Sequence, residues 1–138
     1  MAATAVAMPR VKSSYAPTNR FLDYLSTVDH KKIAIMYLWT TFAFFVVGGL
    51  LALLVRTQLA VPANTFLKPQ VYNQVFTMHG TTMIFLFVIP MWSGFGNYFV
   101  PLQIGARDMA FSCINAFSYW LIPIGAAILF AGFLVPAS

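Results

Sequence analysis

Three long apolar runs, each bracketed by charges, turn residues or proline, dominate the pattern of the chain. The first, Ile33 to Val55, is 23 residues without a charge between Lys31–Lys32 and Arg56. That is enough to cross ~30 Å of hydrocarbon at ~1.5 Å per residue. The second extends from about Val75 to Val100 and the third from about Ile114 to Val135. Each is too long and too uncharged for the apolar stripe of a soluble helix. The pattern predicts an all-α membrane protein with three transmembrane helices, over about 33–55, 75–100 and 114–135.

The polar segments between the runs read as loops. Arg56 to Asn73 is broken by Pro62 and Pro69, and a shorter segment near Pro101 to Cys113 carries Arg107 and Asp108. Pro90 falls inside the second run and predicts a kink there, because proline removes a backbone donor. Gly48–Gly49, Gly94, Gly96, Gly125 and Gly132 permit close helix packing. Residues 1–26 are predicted to form a disordered or surface-lying cytoplasmic tail, leaving 27–138 as one unit.

Composition sharpens the picture. Only 8% of residues are charged and 60% are hydrophobic, against roughly a quarter charged in ordinary soluble domains. The net charge of +5 does not indicate nucleic acid, since no basic, wettable face is available. It reports topology instead. With the amino terminus in the cytoplasm, Arg10, Lys12, Arg20, Lys31, Lys32 and Arg107 lie inside and only Arg56 and Lys68 outside. Cys113 is the one cysteine, which excludes an intrachain disulfide or a cysteine-based metal site within these residues.

His79 is the only Asp, Glu, His, Lys or Arg within the second run. A histidine in hydrocarbon is costly unless it faces the protein interior with a partner. It is therefore either a packing histidine or a metal or cofactor ligand. Gly80 beside it leaves room for a flat macrocycle, and Thr82, Met83 and Leu86 lie on or near its face. Haem iron accepts neutral imidazole, and low-spin haems take two strong ligands. His30 cannot be the second, because it lies at the opposite end of the first run. Another segment or a methionine must supply that ligand.

The stretches D-H-K-K-I (Asp29 to Ile33), L-L-V-R-T (Leu53 to Thr57), V-Y-N-Q-V-F-T-M-H-G-T-T-M-I-F (Val71 to Phe85) and G-F-G-N-Y-F-V-P-L-Q-I-G-A-R-D-M-A-F (Gly94 to Phe111) carry a more specific signal. They resemble subunit I of the haem–copper terminal oxidases, in the branch containing mitochondrial and many bacterial cytochrome c oxidases. The resemblance covers about Thr27 to Trp120. It implies that the three spans are the amino-terminal part of a twelve-helix bundle.

The resemblance also implies residue roles. His79 aligns with an axial ligand of a low-spin haem A, and Arg56 with an arginine that hydrogen-bonds the haem formyl group. Tyr72 falls near a haem propionate. Asp108 aligns with the aspartate at the mouth of the D proton channel, and Asn97 and Asn115 with asparagines lining its first part. Taken without the family, Arg56 reads as a snorkelling interfacial arginine, Asp108 as a solvated loop charge and the asparagines as helix caps. Ser112 and Cys113 replace the family's usual proline and basic or bulky residue after M-A-F.

The family's second haem ligand, copper-ligating histidines and upper channel glutamate are expected further along a complete subunit. The remainder of subunit I, on the same or a separate chain, is therefore an expected partner, with subunits II and III and membrane lipid. At the quinone-site positions of quinol-oxidising members stand Val47, Leu51 and Val71, none of which hydrogen-bonds through its side chain. That favours cytochrome c as electron donor. The expected activity is reduction of oxygen to water coupled to proton pumping, in a bacterial plasma membrane rather than a mitochondrial inner membrane. The alternatives are a quinol oxidase and a non-catalytic three-helix anchor.

Overall fold

The computed structural model describes residues 20–134, of which most are helical. The first helix, α1 (Arg20–Leu25), falls inside the segment expected to be a tail; the rest of that expectation, residues 1–19, lies outside the described residues. Lys32 fastens α1 to the next helix, its ammonium 2.6 Å from Asp23 and 5.6 Å from the centre of the Tyr24 ring.

Helix α2 (His30–Gln58) extends the first apolar run by three residues at each end. Caps rather than hydropathy set its start: the Asp29 carboxylate accepts the Lys31 N–H at 2.9 Å, satisfying one of the free donors of the first turn. Its buried residues, Ile33, Ala34, Tyr37, Thr41, Gly48 and Leu51, recur at helical spacing. Trp39, Phe42, Phe45, Val46, Leu50 and Leu53 cover the opposite, exposed face.

The connection between α2 and the next helix is a tied loop. Gln58 donates to the Asn64 carbonyl and accepts from the Leu67 N–H, while the Asn64 amide donates to the Thr57 carbonyl. Helix α3 (Pro69–Thr81) then starts six residues before the apolar run, because Pro69 suits the first helical position, where no N–H is required.

The second span does not break at Pro90. The chain remains helical from Pro69 to Gln103. A seven-residue π-helical turn, Thr82–Val88, joins α3 to α4 (Ile89–Gln103). The Ile89 N–H reaches back to the Ile84 carbonyl, five residues away, so the wider turn absorbs the proline that an α-turn would not. Pro101, expected in the inner loop, lies within α4. The helix ends at Gln103 in a Schellman motif: Ala106 N–H bonds the Pro101 carbonyl and Gly105 N–H the Leu102 carbonyl. Gly105 takes φ 69°, the left-handed conformation that this cap needs. The loop that follows is consequently shorter than expected, Ile104–Phe111, before α5 (Ser112–Ala131).

α2, the α3–α4 span and α5 are each long and apolar enough to cross a membrane. Two apolar clusters hold them. Ile33 and Tyr37 pack with Tyr119 near one end, and Leu51 packs with Val75 and Met78 near the other. Leu129 and Phe130 close the second cluster, so α5 runs parallel to α2 and the second span runs antiparallel to both.

Of the glycines noted in the sequence, Gly48 and Gly94 sit at close helix contacts. An added Cβ at either would meet an atom within 3 Å, whereas at Gly49, Gly80, Gly96, Gly125 and Gly132 it would meet nothing within 4 Å.

Candidate functional sites

The sequence-predicted residues separate into two groups at opposite ends of the bundle. His79 lies ten residues into the second span, deeper from the helix start than the apolar run implied. Its Nδ1 is 2.9 Å from the carbonyl oxygen of Gly48 on α2. A carbonyl only accepts, so Nδ1 carries the hydrogen and Nε2 of the neutral ring keeps its lone pair. This is the arrangement in which a backbone carbonyl fixes the tautomer and the aim of a metal-ligating histidine.

Tyr72, Phe76, His79 and Met83 follow one another at spacings of four, three and four, which places them on a single stripe. The Tyr72 and Phe76 rings stack at 6.4 Å, and Phe76 is largely exposed. Gly80 opens the surface beside them. A free imidazole nitrogen on a flat, aromatic and partly open face fits one axial side of a haem. Arg56, in the last turn of α2, is exposed at this end.

His30 stands 18 residues before Gly48 on the same helix, about 27 Å along its axis. The two histidines therefore serve different ends of the bundle, as the sequence implied.

At the His30 end the structure assembles Asp108, Asn97 and Asn115. They line one cleft of about 720 Å³ with Tyr37, Met109 and Ser118. The Asn97 amide donates to Asn115 Oδ1 at 2.9 Å, so these asparagines bridge α4 and α5 and are not helix caps. The Ser118 hydroxyl donates to the Asn115 carbonyl and lies 2.9 Å from the Tyr37 hydroxyl.

Three members of this group were not singled out by the sequence: His30, Tyr37 and Ser118. His30 is buried, and its Nδ1 lies 3.1 Å from Asp108 Oδ1. The Asp108 carboxylate also accepts the Met109 N–H at 2.8 Å. These bonds hold the Asp108 carboxyl below its ordinary pKa, the Met109 N–H contributing most and His30 next. The signals available were modest. His30 heads the buried stripe that continues through Ile33, Ala34 and Tyr37, and Ser118 lies one turn beyond Asn115.

Two polar atoms here are buried without a protein partner, His30 Nε2 and Asn115 Nδ2. Buried donors and acceptors left open beside a cleft are the groups that ordered water satisfies.

Residues 32–138 match the family described as cytochrome c and quinol oxidase polypeptide I. The chain belongs to this family. It is 56% identical over 107 residues to cytochrome c oxidase subunit 1 of Bacillus subtilis, covering 78% of this chain and 17% of that protein. It is 53% identical over 117 residues to cytochrome c oxidase subunit 1 of Thermostichus vulcanus, covering 83% and 21%. With that of Synechocystis the figures are 47% over 122 residues, 88% and 22%. The chain thus spans about a fifth of the length of the curated relatives it matches. As a polypeptide I chain with three spanning helices it is a multi-pass membrane protein.

Proposed function

We propose that this polypeptide I chain forms part of a cytochrome c oxidase, supplying one axial ligand of a low-spin haem A and the entrance of a proton channel. The observation that carries the reading is the His79–Gly48 bond. It ties one ring nitrogen to a backbone carbonyl inside a membrane span and leaves the other for a metal, the way ligand histidines are held.

Haem, when bound, supplies one-electron transfer. The chain's own residues do the rest at that end. Gly48 holds the His79 ring, Arg56 offers its guanidinium to the formyl group, and Tyr72 offers its hydroxyl to a propionate. A donor at the formyl withdraws electron density and tunes the potential.

At the other end Asp108 collects protons beside His30 and passes them into the water-bearing cleft lined by Asn97 and Asn115. Their amides both donate and accept, as a water file requires. The complete enzyme reduces oxygen to water with proton pumping and completes its metal centres with the remainder of subunit I. Subunits II and III are its partners, in a bacterial plasma membrane with the amino terminus cytoplasmic.

Cytochrome c rather than quinol is the donor in this reading. Leu51 is buried against Val75 and Met78, and Val71 packs on the same cluster, so those positions form apolar packing where a quinone needs hydrogen bonds. The test is a reduced-minus-oxidised visible spectrum of the complex purified through a tag on this chain. The low-spin haem band is expected, and its disappearance in His79→Ala. A folded, partnered chain with no haem would establish the anchor reading instead.

A further inference from the structure

Tyr37 meets both neighbouring spans at one level. Its ring packs edge-on to Tyr119 at 5.3 Å, and its hydroxyl lies 2.9 Å from Ser118, both on α5. On its other side stands Gly94 of α4. A Cβ added to Gly94 would lie 2.9 Å from the Tyr37 Cβ, 3.4 Å from Leu38 Cδ2 and 3.5 Å from the Ala34 carbonyl oxygen. The first and third of these atoms cannot move aside. Tyr37 Cβ is fixed by the α2 backbone, and the Ala34 carbonyl belongs to it. The two spans therefore approach as closely as they do only because position 94 has no side chain.

This contact lies at the edge of the cleft, which Tyr37 itself lines. Asn97 is three residues beyond Gly94 on the same helix and donates to Asn115 on α5. Ser118, held by Tyr37, donates to the carbonyl of that same Asn115. The amide bridge across the cleft is thus set from two directions, by α4 through Asn97 and by α2 through Tyr37 and Ser118. Both directions meet at the Gly94–Tyr37 contact.

We propose that Gly94 is a positioning residue for proton entry: by letting α4 seat against Tyr37 it sets the Asn97–Asn115 span of the water-bearing cleft. The inference rests on the proton-channel reading of Asp108, Asn97 and Asn115. Hydrogen-bond geometry is steep in distance, so moving α4 outward by a few tenths of an ångström stretches a 2.9 Å bond toward the limit of a useful one. A methyl group at position 94 would impose such a shift without adding or removing any polar group.

The test uses the assembled oxidase. Proton uptake is followed with a pH indicator during single-turnover oxidation of the reduced complex, alongside the haem spectrum. Gly94→Ala is expected to slow proton uptake by roughly tenfold, a fraction of the ~10²–10⁴-fold that a whole proton-transfer group contributes, with the low-spin haem spectrum unchanged. Normal uptake in Gly94→Ala, with slowed uptake in Asp108→Asn, overturns the Gly94 inference alone. Normal uptake in Asp108→Asn overturns the channel reading beneath it. If Gly94→Ala is not recovered as a complex, Gly94→Ala/Tyr37→Gly decides, because it removes the opposing Cβ. Recovery of that double variant, with the uptake rate of Tyr37→Gly alone, supports the inference, and any other result overturns it.

Discussion

The imidazole of His30 and the carboxylate of Asp108, 78 residues apart in the chain, meet at 3.1 Å. The histidine is buried at the head of α2, whereas the carboxylate is half exposed in the loop before α5. The pair joins a solvated acid to an interior ring whose second nitrogen has no protein partner. That asymmetry suits passage of a proton from water inward, and it makes the two residues unequal in a test.

Removal of the acid should matter most. Asp108→Asn keeps the size and a hydrogen-bonding oxygen but loses the proton-collecting carboxylate. Proton uptake by the assembled oxidase is expected to fall by about a hundredfold, the low end for a lost proton-transfer group, with haem content unchanged. Uptake at the wild-type rate would remove Asp108 from the path.

Removal of the ring should matter less to transfer and more to packing. His30→Ala leaves a hole beside Ala34 and Tyr37 and takes one hydrogen bond from Asp108. A stability loss of about 1–3 kcal/mol is expected, typical of a buried polar contact, with uptake reduced by a smaller factor than in Asp108→Asn. Thermal unfolding followed by circular dichroism measures the first, and the indicator assay the second. The carboxylate would still accept from Met109, its stronger influence.

The acid limit follows from the direction of the Asp108 shift. Its carboxyl is held below the ordinary value of 3.8 in the folded protein, so its contribution to stability is complete above that value. It is lost as pH falls through the lower, folded value. Asp108 therefore remains ionised throughout the neutral range. Infrared difference spectra should show Asp108 ionised at neutral pH, its protonated band growing in only on acidification with a midpoint below 3.8, judged against Asp108→Asn. A protonated band near neutrality would contradict the geometry.

Much of this architecture was legible because lipid imposes it. Three uncharged runs gave the three spans, and the long motifs around His79 and Asp108 gave the family. What was hidden depended on tertiary contact. Nothing local announces that Tyr37 touches Ser118, since hydroxyls on two apolar helices carry no periodic signal. Pro101 misled for a related reason: proline's usual penalty was read as a loop, and α4 continues through it, while the helix around Pro90 widens into a π-turn. The helices also run beyond the apolar runs, because the Asp29 cap and Pro69 act through hydrogen bonding and not hydropathy.

Arg56 tests the haem end independently of His79. If its guanidinium donates to a formyl group, Arg56→Met removes a pull on the conjugated ring and the low-spin band should move to shorter wavelength, with haem retained. Arg56→Lys should give a smaller shift, since a single ammonium replaces a planar donor fork. An unmoved band in both variants would return Arg56 to a snorkelling role at the membrane edge.

Gly48 offers a graded test of how His79 is aimed. A Cβ at this position would sit 2.6 Å from Met83 Sδ and 3.2 Å from its Cγ, with Thr82 Cγ2 at 3.7 Å. Methionine is flexible and can swing its sulfur away, so Gly48→Ala should keep the haem spectrum nearly intact. Gly48→Val adds two further methyl groups against Met83 and the buried Thr82, which has no room to yield. There α2 must move away from the second span, and the His79–Gly48 bond must lengthen. A weaker acceptor at Nδ1 makes the imidazole a poorer donor at Nε2, which destabilises the ferric state and raises the midpoint potential of the low-spin haem. Redox titration of the two variants should therefore give near-native and raised potentials respectively. Equal potentials in wild type and Gly48→Val would mean that the carbonyl of Gly48 does not govern the ring.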